Sequence, residues 1–258
     1  MSGILINKDN GEVATLVLND KPANCLTVEL MSAIQTELDL INNSEKHKVI
    51  VIESSNDKIF CSGHSFMEIH KMINKDDQKS QENLFTECSK MLLKIRQSRK
   101  IIISKIRGIA TAGGLGLVGI TDCAFSSDDA QFALGGINFD FGCHQPSVSV
   151  SRSISTKATF ELLISGLPFD AKKAQEVGLI NEAVPNDQLD QRVDDFCQQV
   201  LKHTPEVLAM TKETLYRQTT MSIEEAYVFS SQVMVENLQL PETKTGIAAF
   251  IEKKASVE

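Results

Sequence analysis

No Cys-x-x-Cys pair, no cationic leader, no long apolar run and no excess of basic residues occur in this chain of 258 residues. Each absence excludes something. The six cysteines, Cys25, Cys61, Cys88, Cys123, Cys143 and Cys197, stand far apart. That spacing argues against a zinc site or a disulfide framework and reads as reduced thiols, mostly buried as small hydrophobes. Such a thiol is reactive only where something lowers its pKa. The segment from Met1 to Asp9 has neither the charged start and apolar core of a signal peptide nor an arginine-rich transit pattern. The expected location is therefore cytoplasmic, with the mitochondrial matrix the alternative if a transit peptide has been removed. No stretch approaches about 18 uncharged apolar residues, so no membrane span is expected. Lys and Arg number 26 against 34 Asp and Glu, a formal charge of -8. Counterion release needs a dense basic surface, so nucleic acid is not the expected partner. A few local lysines can still hold a small polyanion.

What is present is an ordinary globular composition, 42% hydrophobic and 23% charged. At roughly 150 residues per domain the length allows one large domain or two small ones. Short β-branched apolar runs at Val13 to Leu18, Lys48 to Glu53 and Ile101 to Ile106, with a shorter one at Cys123 to Ser126, read as strands. Between the first two, Leu26, Leu30, Met31, Ile34, Leu38 and Ile41 share one helical face. A second helix is expected over Asn83 to Gln97, with Leu84, Phe85, Cys88, Met91, Leu92 and Ile95 inward. Alternating strands and helices imply an α/β fold with a mostly parallel sheet. After about residue 145 helix punctuation takes over. Asp170 and Asn186 are expected caps, Pro205 suits a first helical turn, and Ser222 with Glu225 has capping-box spacing. Pro241 then precedes a last helix through Ile247, Phe250 and Ile251.

Three segments have the composition of a site. In Ile59 to Glu68, with the core Cys61-Ser62-Gly63-His64-Ser65, small residues let backbone N–H groups approach a ligand. A helix from about Ser65 aims its positive end there; the same residues also read as a plain strand-to-helix turn. Arg107 to Leu117 leads into Gly114-x-Gly116-x-x-Gly119, a formal dinucleotide fingerprint with Asp140 roughly 20 residues beyond. Seven residues separate those glycines from the strand, so a glycine-rich helix start packed on the sheet accounts for them better. Phe132 to Pro146 crowds Gly135, Gly136, Asp140, Cys143 and His144 into one loop. Loops of this kind carry function more often than core segments do, although a structural loop with a hydrogen-bonded His144 fits equally. No metal site is expected.

At these segments the chain resembles the crotonase family, the enoyl-CoA hydratase and isomerase superfamily, from about Val13 to Lys254. The pieces in order are Leu18 to Asn24, Phe60 to His64, Gly108 to Gly114, Thr121 to Ala124, Phe160 to Gly166 and Ala174 to Asn181. The resemblance implies a crotonase-like spiral of ββα units with a helical C-terminal trimerisation region. It divides the chain into a core at residues 1–195 and an oligomerisation region at residues 196–258. It further implies an acyl-CoA thioester as ligand, no separate cofactor because coenzyme A is part of the substrate, and a homotrimer or dimer of trimers. Two backbone donors that polarise the thioester carbonyl correspond to the amides of His64 and Gly113. Losing one donor of such a pair typically costs about 100- to 1,000-fold in rate. Lys21 and Ala23 correspond to the first stretch that contacts coenzyme A, Phe66 to the residue beside the adenine, and Phe250 and Lys253 to an aromatic and a base supplied by a neighbouring subunit. Cys61, Gly114 and Gly136 complete the implied substrate site.

The departures from the family pattern are as informative. The two hydratase glutamates correspond to Gly116 and Gly136, and the isomerase glutamate also corresponds to Gly136. Losing a general acid or base usually costs about 100- to 10,000-fold. His144 stands near the position of an acid used by other members, and an imidazole is a side chain suited to moving a proton; Asp140 or Cys143 are the alternatives. Two classes of function follow. One is an enzyme performing isomerisation, hydration, decarboxylation or hydrolysis by nonstandard proton transfer. The other is a noncatalytic acyl-CoA binder that retains the fold and pocket. The enoyl-CoA hydratase-domain subgroup, which the Ser-Gly-His and Gly-Ile-Asn pieces resemble most, lacks the same glutamates.

Overall fold

The computed structural model describes the backbone of residues 3–255 and the side chains of residues 3–253. The chain opens with a hairpin of β1 (Leu5–Asn10) and β2 (Val13–Leu18), followed by α1 (Val28–Asn42). Thr27 caps α1 by accepting from the Leu30 N–H. The expected face is buried through Leu30, Met31, Ile34, Leu38 and Ile41, each side chain contributing about 1.5–3 kcal/mol.

Three units then repeat a long strand and a short strand, each leading into helix. They are β3 (Val49–Ser54) and β4 (Ile59–Cys61) before α2 (Phe66–Asn74) and α3 (Gln78–Gln97); β5 (Ile101–Ile106) and β6 (Ile109–Thr111) before α4 (Gly113–Ile120); and β7 (Cys123–Ser127) and β8 (Gln131–Ala133) before a 3-10 turn at Gly135–Phe139 and α5 (His144–Val150). The long strands form a six-stranded sheet and the short ones a four-stranded sheet, parallel along β4, β6 and β8. Gly108, between β5 and β6, has φ +68°, and a Cβ there would fall 2.1 Å from the Lys58 carbonyl. Only glycine lets the successive corners stack so closely.

The remaining elements are α6 (Thr156–Ser165), β9 (Phe169–Asp170), α7 (Ala171–Glu176), β10 (Glu182–Val184), α8 (Leu189–Leu201), α9 (Pro205–Gln218), α10 (Ile223–Gln239) and α11 (Pro241–Ala255). The large sheet runs β1-β2-β3-β5-β7-β10, with β1 antiparallel and the rest parallel. Its strands alternate in the period-2 manner of a sheet covered on both faces. Ile50 and Ile52 join the main core with α1 and α3, while Val49 and Val51 join a second core against Leu189, Val193 and Cys197 of α8. The boundary at residues 195–196 thus falls inside a helix packed on the sheet. Cys61, Cys88, Cys143 and Cys197 are buried, and all six thiols are free.

Several expectations need correction. Strands continue past residue 145 as β9 and β10, which at two and three residues are too short to show a period. The second helix begins at Gln78, capped by Asp77. Asn186 opens a 3-10 turn, Asn186–Gln188, and α8 starts only at Leu189. Asp170 caps α7 as expected, and Ser222 with Glu225 closes the capping box.

α9 is fastened to the sheet. Lys212 pairs with Asp122 at 2.7 Å, both nearly buried, and donates to the Lys100 carbonyl at 3.0 Å. The Tyr216 hydroxyl reaches Asp122 at 2.9 Å. Beyond this point the helices stand away from the core. α10 has no buried residue, and Ile223, Tyr227, Met234, Ile247, Phe250 and Ile251 are exposed along α10 and α11. Among the described residues no helix is long and apolar enough to cross a membrane.

Candidate active site

β4 and β6 are parallel neighbours, so the turns that leave them meet. Gly63 follows β4 with φ +78°, and a Cβ there would lie 2.6 Å from the Gly113 amide nitrogen. Ala112 precedes α4 in a strained positive-φ conformation, φ +49°, pinned by its N–H to the Ala133 carbonyl at 2.9 Å. Gly113 then takes the first helical position, where an amide has no partner within its helix. Among the described residues neither the His64 nor the Gly113 N–H donates a hydrogen bond. Both residues line one cavity of about 690 Å³.

The cavity wall is mainly apolar and aromatic. Phe66, from the first turn of α2, meets Phe139 edge-on with centroids 5.1 Å apart and Phe141 at 6.4 Å. Met67, Phe85 and Cys25 extend the wall, and Asn138, Cys143, His144 and Gln145 add the polar groups. Among the described residues no cluster of three His, Cys, Asp or Glu could hold a metal.

The glutamate positions differ from each other. Gly116 lies buried in α4 outside the lining, and a Cβ there would approach Pro146 Cα at 3.1 Å. Gly136 lines the cavity, but a Cβ would lie 2.2 Å from the Phe141 carbonyl oxygen and 3.0 Å from the Cys143 sulfur. The loop has closed over the space where a carboxylate would start.

His144 is exposed at the first position of α5 and lines the cavity. Asp140 is exposed, left-handed at φ +53° after the 3-10 turn, and outside the lining. Burial raises the Cys143 thiol pKa and pushes that of Cys61 up to about 12, so both are protonated near neutrality. Cys61 and Gly114 pack together behind the wall, a Cβ on Gly114 falling 2.1 Å from the Cys61 carbonyl oxygen. Lys21 and Ala23 lie on the preceding loop, whose Ala23 carbonyl accepts from Ser62 at 3.1 Å. Phe250 and Lys253 sit on exposed turns of α11, away from this cavity.

Sequence reasoning assigned His64 a main-chain role and left its ring aside. That ring is held by Nδ1 at 2.9 Å from the Leu26 carbonyl and packs edge-on against Phe85. Burial pulls its pKa below 6.5, opposed by the Leu26 carbonyl and by Gln145 nearby. No hydrogen bond of ordinary geometry joins the two side chains: His64 Nε2 and Gln145 Oε1 are each buried without a partner. Gln145 had no signal in the sequence beyond its place next to His144.

Comparison with known proteins identifies the family. The family model for enoyl-CoA hydratase/isomerase matches residues 8–257. The chain is 32% identical over 239 residues to the rat mitochondrial enoyl-CoA hydratase domain-containing protein 3, covering 93% of this chain and 78% of that protein. The crystal structure of the human enoyl-CoA hydratase domain-containing protein 3 superposes with a TM-score of 0.93 at 29% identity, covering 97% and 98% of the two chains. That of an enoyl-CoA hydratase from Mycobacterium smegmatis gives 0.93 at 32% identity, covering 98% and 97%. Stacked ββα units, paired glycine turns and these matches together place the chain in the enoyl-CoA hydratase/isomerase family.

Proposed function

We propose that the chain binds an acyl-CoA thioester, with no further cofactor, and seats the thioester oxygen between the His64 and Gly113 amides. The observation that carries this reading is the pair of adjacent, unpartnered N–H groups at an apolar cavity. Donors fixed in this way stabilise an oxygen on which negative charge develops and need no reorganisation when it does. The reaction they favour is enolisation: the Cα–H bond breaks, its electron pair becomes the second bond between Cα and the carbonyl carbon, the carbonyl π pair moves onto oxygen, and the proton passes to a base. His144 is the candidate base, because it lines the cavity and Asp140 does not.

Hydration through two carboxylates does not fit Gly116 and Gly136. The crowding at Gly136 also supports the second reading, a binder that has lost turnover. Incubation with short, medium and branched acyl-CoAs in deuterated buffer separates the two. Exchange at Cα, lost in His144→Ala, supports the enzyme; tight binding without exchange leaves the binder; no binding of any thioester defeats both.

The nucleotide belongs near Lys21, Ala23 and Phe66, with Phe250 and Lys253 contributed by a neighbouring subunit. The exposed apolar residues of α10 and α11 support a homotrimer or dimer of trimers, and light scattering gives its mass. The relatives' mitochondrial designation supports a mitochondrial location over the cytoplasmic one, which cell fractionation decides.

A further inference from the structure

The two open amides are held in place by different means. Gly113 belongs to α4, so its N–H takes its direction from the helix. His64 lies in the turn after β4, next to Gly63 at φ +78°, and no helix or strand directs its N–H. What holds that turn is the segment before α1. The Ser62 N–H donates to the Ala23 carbonyl at 3.1 Å, and the Cys61 thiol donates to the Asn24 carbonyl at 3.0 Å. Cys25 Sγ and Ser62 Oγ lie 3.3 Å apart.

Leu26 completes the bridge with both of its main-chain groups. Its N–H donates to the Gly63 carbonyl at 2.8 Å, and its carbonyl accepts from His64 Nδ1 at 2.9 Å, which fixes the ring hydrogen on that nitrogen. Between two extended segments the second bond would ordinarily come from a main-chain N–H. Here the imidazole supplies it, and the main-chain N–H of His64 is spared. The Gly63–His64 peptide is trans, so that N–H points away from the Gly63 carbonyl and hence away from Leu26. Phe85 meets the ring with centroids 5.3 Å apart, and swinging aside would cost the ring both contacts.

Packing alone does not account for an imidazole at this place. Its Nε2 is buried without a partner, a cost that a leucine or phenylalanine would avoid. What neither of those can do is donate to Leu26. We propose that His64 is a positioning residue through its side chain: the bond from Nδ1 to the Leu26 carbonyl holds the Gly63–His64 peptide in the orientation in which its N–H meets an oxyanion. The ring acts through its own main chain and transfers no proton. This role rests on the acyl-CoA reading given above.

Calorimetry with butyryl-CoA and acetoacetyl-CoA tests it. The ionised enol of acetoacetyl-CoA carries negative charge on the thioester oxygen, whereas butyryl-CoA does not. The unmodified protein is expected to bind acetoacetyl-CoA at least about tenfold tighter than butyryl-CoA, as hydrogen bonds to a charged acceptor would give. In His64→Asn the side-chain nitrogen takes the place of Nδ1 on the same Cγ, and that ratio is expected to stay within about twofold. In His64→Leu, which cannot donate, the ratio falls by about tenfold. Should His64→Leu not fold, His64→Gln, whose amide sits one carbon further out, reads the same loss. A ratio that survives the loss of the Nδ1 donor overturns the positioning role, and so does an equal fall in His64→Asn. No preference for acetoacetyl-CoA in the unmodified protein means that the amides hold no anion, which overturns it as well. Failure of butyryl-CoA itself to bind overturns the acyl-CoA reading and this role with it.

Discussion

Just past the C-terminal end of α4, Asp122 accepts from Lys212 at 2.7 Å, from Tyr216 at 2.9 Å and from the Ile102 N–H at 2.7 Å. Arg96 stacks on the Tyr216 ring at 3.7 Å. At the N-terminal end, among the described residues, the amides of Gly113 and the facing His64 have no acceptor, and the buried His64 Nε2 and Gln145 Oε1 have no partner. One helix of eight residues thus joins a cluster in which the Asp122 carboxylate is fully partnered, although Arg96 Nη1 beside it is not, to a pair of amides left open. Saturation is what a structural fastening needs, since a buried charge is tolerated only when paired. Unfilled hydrogen-bonding capacity in an apolar cavity is what a ligand completes.

The comparison is broken most easily at its saturated end. Lys212→Met leaves Asp122 without its charged partner, and urea unfolding is expected to show a loss of about 3–5 kcal/mol. A loss below about 1 kcal/mol would mean that the cluster does not fasten α9. At the other end, Gly63→Ala forces a Cβ into the Gly113 amide. It is expected to lower α-proton exchange by about 100- to 1,000-fold, which single-turnover mass spectrometry reads directly.

Gly136→Glu gives a smaller effect, which sharpens the reading of the missing carboxylates. Crowding against Phe141 and Cys143 is expected to cost about 1–3 kcal/mol of stability, and a crotonyl-CoA hydration assay is expected to show no gain. Appreciable hydration in this variant would mean that the loop opens for a carboxylate after all. The smallest effect is in pH. Burial lowers the folded-state pKa of His64 below 6.5, so the unfolded chain takes up the proton first as pH falls. The associated stability is complete above about pH 6.5 and lost on descending toward the folded-state value. The midpoint temperature should therefore decline less between pH 6.5 and 5 in His64→Phe than in the unmodified protein.

Much of the scaffold was readable because its signals are local. The face of α1, the strands β2, β3 and β5, the helix start near Ser65, the Ser222 cap and Pro205 at the start of α9 all follow from residues within a turn or two of one another. The three-residue strands β4, β6 and β8 carry no such signal, and the cavity forms where they end. Its position came from the resemblance at Phe60 to His64 and Gly108 to Gly114 rather than from periodicity. The state of the His64 ring was out of reach for a similar reason: the carbonyl that sets its tautomer lies 38 residues earlier in the chain. Gln145 is fixed by a carbonyl 60 residues away. His144 drew notice because an imidazole titrates near neutrality, yet the neighbouring amide is the more tightly held.

The absence of buried residues along α10 has a kinetic consequence. Amides in β3 or β5 exchange with solvent only through large-scale opening, but those of a helix with no core contacts exchange through local fraying. In the proposed oligomer, protection in α10 and α11 would be governed by dissociation and so grow with protein concentration, while protection in the sheet would not. Hydrogen exchange followed over a dilution series would trace the assembly surface residue by residue.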